Sequence, residues 1–203
     1  MDVAILLYDR VTVLDAIGPY EVFNALPGAT IKFVAREKGE KRADNGRLGL
    51  IADYALSEVT SPDIVIIPGT PHPDAVLGDA EALEWMRACH QNTKWTTSVC
   101  TGALGLGAAG VLQGLKATTH WMCLEMLSEF GAEPSKERVV RQGKVITAAG
   151  VSSGIDMALT LVGLEFGDEA AQMVQLAIEY DPEPPYDAGS PDKAPSPVVE
   201  NLR

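Results

Sequence analysis

The stretch TTSVCTGALGLGAAG, residues 96–110, decides the fold of this chain. A β-prone run at 95–99 ends at Cys100, and small residues compatible with a helix follow at once. Gly102 lets the backbone turn tightly, so the pattern predicts a strand, a sharp turn and a helix. This succession of strand, turn and helix places the Cys100 thiol at the carboxyl end of a strand. It is the arrangement of the G-x-S-x-G nucleophile elbow, with sulfur in place of oxygen.

The predicted start of this helix also bears on the charge of the sulfur. A helix N-terminus favours negative charge, and so favours thiolate over thiol. Free cysteine has a pKa of about 8.5, and such surroundings lower it to roughly 3.5–7.5. We therefore expect Cys100 to be a reactive thiolate. Cys89 and Cys123 lie in helical stretches and are predicted to be structural.

The remainder of the chain alternates between apolar, strand-like runs and helical patterns. This alternation predicts a parallel sheet that helices cover on both faces. Ligands bind at the carboxyl ends of the strands in such sheets. The predicted strands are 3–8, 31–35, 64–67, 95–99 and 145–148, and the predicted helices are 15–26, 74–91, 101–111, 120–130 and 152–180, the last broken near residue 167.

The composition changes near the C-terminus. We predict a single α/β domain over residues 1–180 and a proline-rich tail over 181–203. Six of the thirteen prolines fall within residues 181–199, which argues against a helix there. Tyr186 and the fixed prolines favour an extended strap over a surface, such as that of a partner subunit. A disordered tail is the alternative.

Charge and cysteine content narrow the function further. The net charge of −12 leaves no basic stripe for phosphates, so no nucleic acid partner is expected. The sequence has no apolar run of about 18 residues, so no membrane span is expected either. The apolar N-terminal run is short and has no cationic leader, and reads as a strand rather than a signal peptide. Three cysteines at irregular spacing fit a reducing cytoplasm. A small-molecule substrate is the expected partner.

A carboxyl group is predicted near the thiol. Asp15 follows the first strand, and the carboxyl ends of parallel strands share one edge of the sheet. If desolvation and the sulfur's charge keep Asp15 protonated, it can act as a general acid. The alternative is a helix N-cap, a position that aspartate favours. Glu21 is a second acidic candidate about two turns further along.

The turn after strand 64–67 is a candidate oxyanion hole. Gly69 and Thr70 follow this strand almost directly, and if the backbone N–H groups of Thr70 and Thr101 converge on developing negative charge they form such a hole. The alternative is an ordinary β-to-α turn.

The histidines and glycines offer further candidates. A proton acceptor for the thiol is usually a histidine, and His72 and His120 lie near strand ends, whereas His90 lies in a polar helical stretch. A zinc site at His120 and Cys123 lacks a C-x-x-C pair, so no metal is predicted. The G-x-G-x-x-G at 105–110 begins five residues into the predicted helix, which favours close helix packing over nucleotide binding.

Taken together, these motifs resemble those of the ThiJ/PfpI superfamily. The stretches that carry the resemblance span nearly the whole chain: YDRVTVLDAIGPYEVF (8–23), DIVIIPG (63–69), TSVCTGALGLGAAGVLQG (97–114), KATTHW (116–121) and GVSSGIDMAL (150–159). The resemblance implies a glutamine-amidotransferase-like fold: an α/β, flavodoxin-like sandwich with a mostly parallel central sheet. Many members carry a histidine directly after the nucleophile. Thr101 stands there in this chain, which argues against a Cys-His dyad.

Within the superfamily, the combination of LDxxGP, SxCTG and ATTHW is similar to members that add water to isonitriles. That resemblance implies Cys100 as the nucleophile, assisted by Asp15 and Thr101, in a homodimer without metal or organic cofactor. It also implies substrate-binding or oxyanion-hole roles for the following residues: Gly69, Thr70, His120, Ile17 and Gly18. The superfamily often has a second glycine where Thr70 stands, so the side chain here is expected to narrow the pocket or alter the hole.

Two other functions fit the same cysteine. A glyoxalase or deglycase acting on methylglyoxal also begins with attack by a thiolate, and would need His120 as a base. A redox-sensing or ligand-binding protein without turnover would use the oxidation of an exposed thiolate.

Overall fold

The computed structural model describes residues 1–202 and contains eleven strands within that range. In chain order they are β1 (Asp2–Leu6), β2 (Thr30–Ala35), β3 (Gly39–Arg42), β4 (Gly49–Ala52), β5 (Tyr54–Ala55), β6 (Ile64–Ile67), β7 (Trp95–Val99), β8 (Lys116–Ala117), β9 (Glu133–Pro134), β10 (Val139–Gln142) and β11 (Val145–Ala148).

The helices connect these strands. They are α1 (Val13–Asn24), α2 (Asp74–Leu77), α3 (Ala80–Asn92), α4 (Gly102–Ala108), α5 (Ser153–Phe166), α6 (Asp168–Ala177) and α7 (Ser196–Leu202), with 3₁₀ helices at Leu56–Glu58 and Trp121–Phe130.

Seven strands form the central sheet in the order β10-β11-β7-β6-β1-β2-β5. All neighbours pair in parallel except β10 and β11. The four residues of β6, IVII, are all buried, because helices cover both faces of the sheet. Side chains of α1 and α5 pack on one face, and those of α3 and α4 pack on the other. The predicted α/β, flavodoxin-like fold class is confirmed.

The strand order also defines a topological switch point. From β1 the chain runs through α1 to β2 on one side of β1, and later returns to pair β6 on the other side. Neighbouring strands whose connections leave in opposite directions open a crevice at their carboxyl ends. Here that crevice lies between β1 and β6.

The structure contains each predicted strand and helix, with these differences: the helix predicted at 120–130 is a 3₁₀ helix, the helix predicted at 74–91 is divided, and the strands β8, β9 and β10 were not predicted. The strands at 64–67, 95–99 and 145–148 have the predicted bounds. The single helix predicted at 74–91 is two helices, because Asp79 caps α3 by accepting a hydrogen bond from the Ala82 N–H at 3.1 Å. The prediction that residues 181–199 exclude a helix is wrong: α7 begins at Ser196. Proline in a first turn lacks only an N–H that has no partner there, so Pro197 is tolerated.

The chain between α6 and α7 runs along the surface. Tyr186 lies on this segment with 81% of its surface exposed. Arg203, the last residue of the predicted tail, lies outside the described residues. No helix within residues 1–202 is long and apolar enough to cross a membrane.

Candidate active site

Cys100 lies at the elbow between β7 and α4. Its φ of 56° is in the left-handed region, which residues other than glycine adopt only under strain. Backbone hydrogen bonds hold this conformation: the Cys100 N–H donates to the carbonyls of Ala148 at 3.1 Å and Ala149 at 2.8 Å. Thr119 Oγ1 donates to the Cys100 carbonyl at 2.8 Å. The thiol is therefore held in one fixed position at the top of the sheet, with 5% of the residue exposed.

Asp15 reaches the same edge of the sheet from α1. It is the third residue of that helix, and Thr12 occupies the N-cap position. Its Oδ2 accepts a hydrogen bond from the Gly69 N–H at 2.8 Å, so the carboxyl group bridges to the loop after β6 rather than capping its own helix. Its Oδ1 is buried and has no hydrogen-bond partner within residues 1–202. This oxygen is available to carry a proton toward a bound molecule.

The surroundings of Asp15 favour its protonated form. Burial raises the pKa of Asp15 from 3.8 to about 7, and the charge of Asp44 adds to this effect. The Gly69 N–H and the Cys100 thiol lower the pKa, but by less than burial raises it. A carboxyl group with a pKa near neutrality can both give and accept a proton under physiological conditions.

The expectation of a lowered thiol pKa is wrong. Burial and the neighbouring charge of Asp15 raise the pKa of Cys100 from 9.0 to about 12. The N–H groups of Thr101 and Val151 act in the opposite direction, but α4 has only seven residues and does not overcome the desolvation. The resting sulfur is therefore a thiol, and it becomes a thiolate by passing its proton to a base. Asp15 is the group beside it that can accept that proton.

Hydrogen bonds between Thr70 and Thr101 connect the segments that follow β6 and β7. The Thr70 N–H donates to Thr101 Oγ1 at 2.7 Å, and Thr101 Oγ1 donates to the Thr70 carbonyl at 2.6 Å. The predicted oxyanion donor at Thr70 is thus already engaged, which corrects that assignment. The Thr70 hydroxyl points away and donates to the Arg10 carbonyl at 2.6 Å. In this structure Thr70 positions Thr101.

Position 69 requires glycine because atoms of Thr101 and Asp15 leave no room for a side chain there. A Cβ on Gly69 would lie 2.5 Å from Thr101 N and 3.0 Å from Asp15 Oδ2, far inside van der Waals contact. Any larger residue would push the loop after β6 away from the cysteine elbow. Glycine therefore lets the Gly69 N–H reach the carboxylate.

Tyr8 belongs to the site, although the sequence analysis did not select it. Its hydroxyl donates to the Pro68 carbonyl at 2.7 Å. That carbonyl and the Gly69 N–H belong to one peptide unit, so Tyr8 and Asp15 lie at opposite ends of the same polarised group. Burial raises the pKa of Tyr8 well above its usual value, and the charges of Asp15 and Cys100 add to this. Its position at the carboxyl end of the strand predicted at 3–8 was the available signal.

The other predicted residues lie at the border of the site. His120 caps the 3₁₀ helix, accepting from the Met122 N–H at 3.4 Å, and burial lowers its pKa. A Cβ on Gly150 would lie 3.0 Å from its ring, which places it beside the 149–150 segment that supports the cysteine. Gly18 packs against α5, since a Cβ there would meet Ile155 at 3.1 Å. Ile17 is half-buried in α1.

Of the two remaining cysteines, Cys123 lies near enough to Cys100 for its charge to raise the pKa of that thiol, whereas Cys89, His72 and His90 have other surroundings. Cys89 lies in the core under α3, and burial raises its pKa to about 12. His72 donates its backbone N–H to Thr70 Oγ1 at 3.0 Å. His90 contacts Thr96 near the opposite end of β7. Residues 1–202 contain no group of three or more histidine, cysteine, aspartate or glutamate side chains arranged to hold a metal ion.

Fold and site together define a class: α/β proteins with a cysteine at a strained strand-to-helix elbow and a buried carboxyl group beside it. The profile of the DJ-1/PfpI family matches residues 1–164. The chain therefore belongs to the DJ-1/PfpI family, as its motifs predicted.

Individual relatives refine this picture. The chain is 40% identical over 203 residues to isonitrile hydratase of Pseudomonas putida, a match covering 100% of this chain and 89% of that protein. A crystal structure of a ThiJ/PfpI family protein from Pseudomonas syringae superposes with a TM-score of 0.95 at 39% identity, covering 99% of this chain and 84% of that one. The transcriptional regulator CdhR of Pseudomonas aeruginosa is 26% identical over 165 residues, covering 79% of this chain and 48% of the regulator.

Proposed function

We propose that this protein adds water to isonitriles, R–N≡C, to give N-substituted formamides. One observation carries the proposal: the Asp15 carboxyl, whose pKa is about 7, lies beside the Cys100 thiol in a buried pair. The full-length similarity to an isonitrile hydratase at 40% identity supports the substrate class. The activity would be that of a lyase with a cysteine nucleophile.

In the first step, one carbon atom accepts both sulfur and hydrogen. Asp15 in its ionised form, which predominates above its pKa of about 7, takes the proton of the Cys100 thiol. The thiolate attacks the terminal carbon of the isonitrile while Asp15 returns the proton to that carbon. A C–S bond and a C–H bond form, and the C≡N bond becomes C=N. The product is a thioimidate, R–N=CH–S–Cys100, with Asp15 again ionised.

In the second step, water releases the product. The water oxygen adds to the thioimidate carbon, one of its protons reaches the nitrogen, and the other is accepted by Asp15. The C–S bond then breaks, giving R–NH–CHO and the cysteine sulfur, which recovers its proton from Asp15. Thr101 Oγ1 donates to Thr70 and retains an acceptor lone pair with which to orient the water.

The experiment compares variants on an alkyl isonitrile, following formamide formation. Cys100→Ala and Asp15→Asn are expected to lose turnover, whereas Cys123→Ser, which removes a half-buried thiol outside the pair, is expected to keep it. The thioimidate is expected as a mass increase on the peptide carrying Cys100. Retained turnover in the Cys100 variant would overturn the mechanism. Lactate formation from methylglyoxal that is lost in His120→Ala would favour the glyoxalase alternative instead.

We also propose that the working unit is a homodimer. In this arrangement residues 1–180 form the catalytic domain and residues 181–203 form a strap over the partner subunit. The tail makes few contacts with its own chain, such as Lys136 with Asp192 at 3.6 Å, and leaves Tyr186 exposed. The 99% coverage of the superposition on the Pseudomonas syringae protein supports a defined course for this segment. The three unpaired cysteines support the cytoplasm as the compartment.

A further inference from the structure

The segment between β11 and α5, residues 149–152, contacts Cys100 through two of its peptide groups. The Ala149 carbonyl accepts the Cys100 N–H at 2.8 Å. The Val151 N–H donates a hydrogen bond to the Cys100 sulfur and lowers the pKa of the thiol. An N–H group that donates to sulfur stabilises the thiolate more than the thiol. The position of the Val151 N–H therefore bears directly on how readily Cys100 ionises.

Arg138 holds this segment on both sides of Val151. Its backbone carbonyl accepts the Ala149 N–H at 2.9 Å, two residues before Val151. Its guanidinium Nη2 donates to Ser152 Oγ at 3.2 Å, one residue after Val151. Any residue at position 138 could make the first contact, whereas the second requires a long side chain that carries hydrogen-bond donors. The side chain of Arg138 thus adds a second point of attachment to the segment.

Asp156 and Tyr180 fix the direction of the guanidinium group. Arg138 Nε donates to Asp156 Oδ2 at 2.6 Å, and the Tyr180 hydroxyl donates to Asp156 Oδ1 at 3.1 Å. Asp156 lies in the first turn of α5, which begins directly after Ser152. The guanidinium group therefore bonds two points at the start of one helix at the same time. Its rigid, planar set of donors suits such a double contact, and the single ammonium group of a lysine does not.

This network is exposed enough that its effect on the site can be separated from its effect on stability. The side chains of Arg138 and Asp156 are 50% and 30% exposed. Ion pairs this exposed contribute little to the free energy of unfolding. A change in the reactivity of Cys100 on removal of the pair would therefore not be a consequence of general unfolding.

We propose that Arg138 and Asp156 are positioning residues, which hold residues 149–152 so that the Val151 N–H stays on the Cys100 sulfur while the thiolate forms. They act through the backbone of Val151. The other donor, the Thr101 N–H, lies at the start of α4 and does not depend on them. The proposal rests on the proposed function in taking Cys100 as the nucleophile, but it does not rest on the identity of the substrate.

Alkylation of Cys100 by iodoacetamide at pH 8 tests the proposal. Cleavage by trypsin after Lys94 and Lys116 separates Cys100 from the other two cysteines, so mass spectrometry of peptide 95–116 follows this thiol alone. Arg138→Met is expected to slow the alkylation by about tenfold, the effect of a rise of about one unit in the pKa of the thiol. Its unfolding in urea is expected to stay close to that of the parent.

Two further single variants accompany Arg138→Met. Asp156→Asn keeps the size of the side chain but removes the charge that orients the guanidinium group, and is expected to slow the alkylation in the same direction. Lys136→Met is the matched control, because it removes a cation two residues away that pairs with Asp192 on the tail. It is expected to react at the rate of the parent.

A double-mutant cycle tests whether Arg138 acts through Val151. Val151→Pro removes the N–H group itself, and proline is tolerated at the start of a helix. It is expected to slow the alkylation as Arg138→Met does. Adding Arg138→Met to Val151→Pro is then expected to change the rate no further, because two residues that act through one contact are not additive.

The same variants are compared on an isonitrile, where kcat is expected to fall about tenfold in Arg138→Met with KM unchanged. A parent that alkylates as expected but does not turn over an isonitrile would contradict the proposed function and leave the positioning role supported.

Four results would overturn the positioning role. Alkylation in Arg138→Met at the rate of the parent is the first, and faster alkylation is the second, because the segment would then only shield the thiol. The third is a full effect of Arg138→Met that persists in the Val151→Pro background. The fourth is equal slowing in Lys136→Met, because the loss of positive charge alone would then explain the effect.

Discussion

The burial of Asp15, the proposed proton acceptor, carries a stability cost. Its folded-state pKa of about 7 lies above the unfolded value of 3.8, so the folded chain holds a proton that the unfolded chain releases. Stability is therefore lost as the pH rises from about 4 through 7, by about 4 kcal/mol in total. A buried carboxyl group that keeps such a cost is typical of functional sites, which supports the proposed role of Asp15.

Asp15→Asn is expected to stabilise the fold while abolishing turnover. The amide oxygen can still accept the Gly69 N–H, and the buried charge is gone. We expect a gain of about 2–4 kcal/mol in the free energy of unfolding at pH 8 and little change near pH 4. Urea denaturation at both pH values measures it. A variant less stable than the parent at pH 8 would contradict the assigned burial cost.

The pH dependence of turnover follows from the same pair. Below pH 7 both Asp15 and Cys100 are protonated, so the thiol has no base; above it Asp15 is ionised and can take the thiol proton. We expect kcat/KM for an isonitrile to rise with pH through about 7. The rate measured from pH 5 to 9 checks this. A profile that is flat, or that falls across this range, would exclude Asp15 as the proton acceptor.

Tyr8 is expected to tune Asp15 through the Pro68–Gly69 peptide. Its hydroxyl polarises the carbonyl, which strengthens the Gly69 N–H as a donor and favours the ionised carboxylate. Tyr8→Phe should therefore raise the pKa of Asp15 and move the rising limb of kcat/KM to higher pH. Tyr54→Phe, at the far edge strand, is the control. If the rate falls but kcat/KM still rises at the same pH as in the parent, Tyr8 contributes only to packing.

At the level of elements, the site depends on how closely two strand ends approach. Gly69→Ala would push the loop after β6 away from Thr101 and Asp15. We expect kcat to fall by about 100-fold, because displacements near 1 Å have such effects on aligned groups. Gly189→Ala is the control, since nothing lies within 4 Å of the added methyl group. Unchanged turnover in Gly69→Ala would show that the loop moves freely.

The sequence was sufficient to predict the features that depend on the apolar pattern of the strands and on their order along the chain. Apolar runs in the sequence predicted the core strands. Because these runs end at Cys100 and shortly before Asp15, they also predicted the elbow and the edge of the sheet that the two residues share. The thiol pKa did not follow, because the sequence shows the helix after Cys100 but not how deeply the elbow is buried. The engagement of the Thr70 N–H by Thr101 was equally hidden, since it depends on two loops about thirty residues apart.

For the whole molecule, two exposed apolar side chains are the candidates for the interface of the proposed homodimer. Leu176 on α6 and Tyr186 on the tail are each 81% exposed, although both are large and apolar. Side chains of this kind are costly on a lone chain when they form part of one surface. Burying them against a partner would also explain how a tail with few contacts of its own keeps a defined course.

The full chain is accordingly expected to behave as a dimer in light scattering coupled to size exclusion. Leu176→Asp with Tyr186→Asp should convert it to a monomer, because each aspartate would bury an unpaired charge at the interface. Glu183→Gln, a charge change on the same exposed tail, is the control and should stay dimeric. A monomeric parent chain, or a dimer that survives the double substitution at low concentration, would contradict the assigned interface.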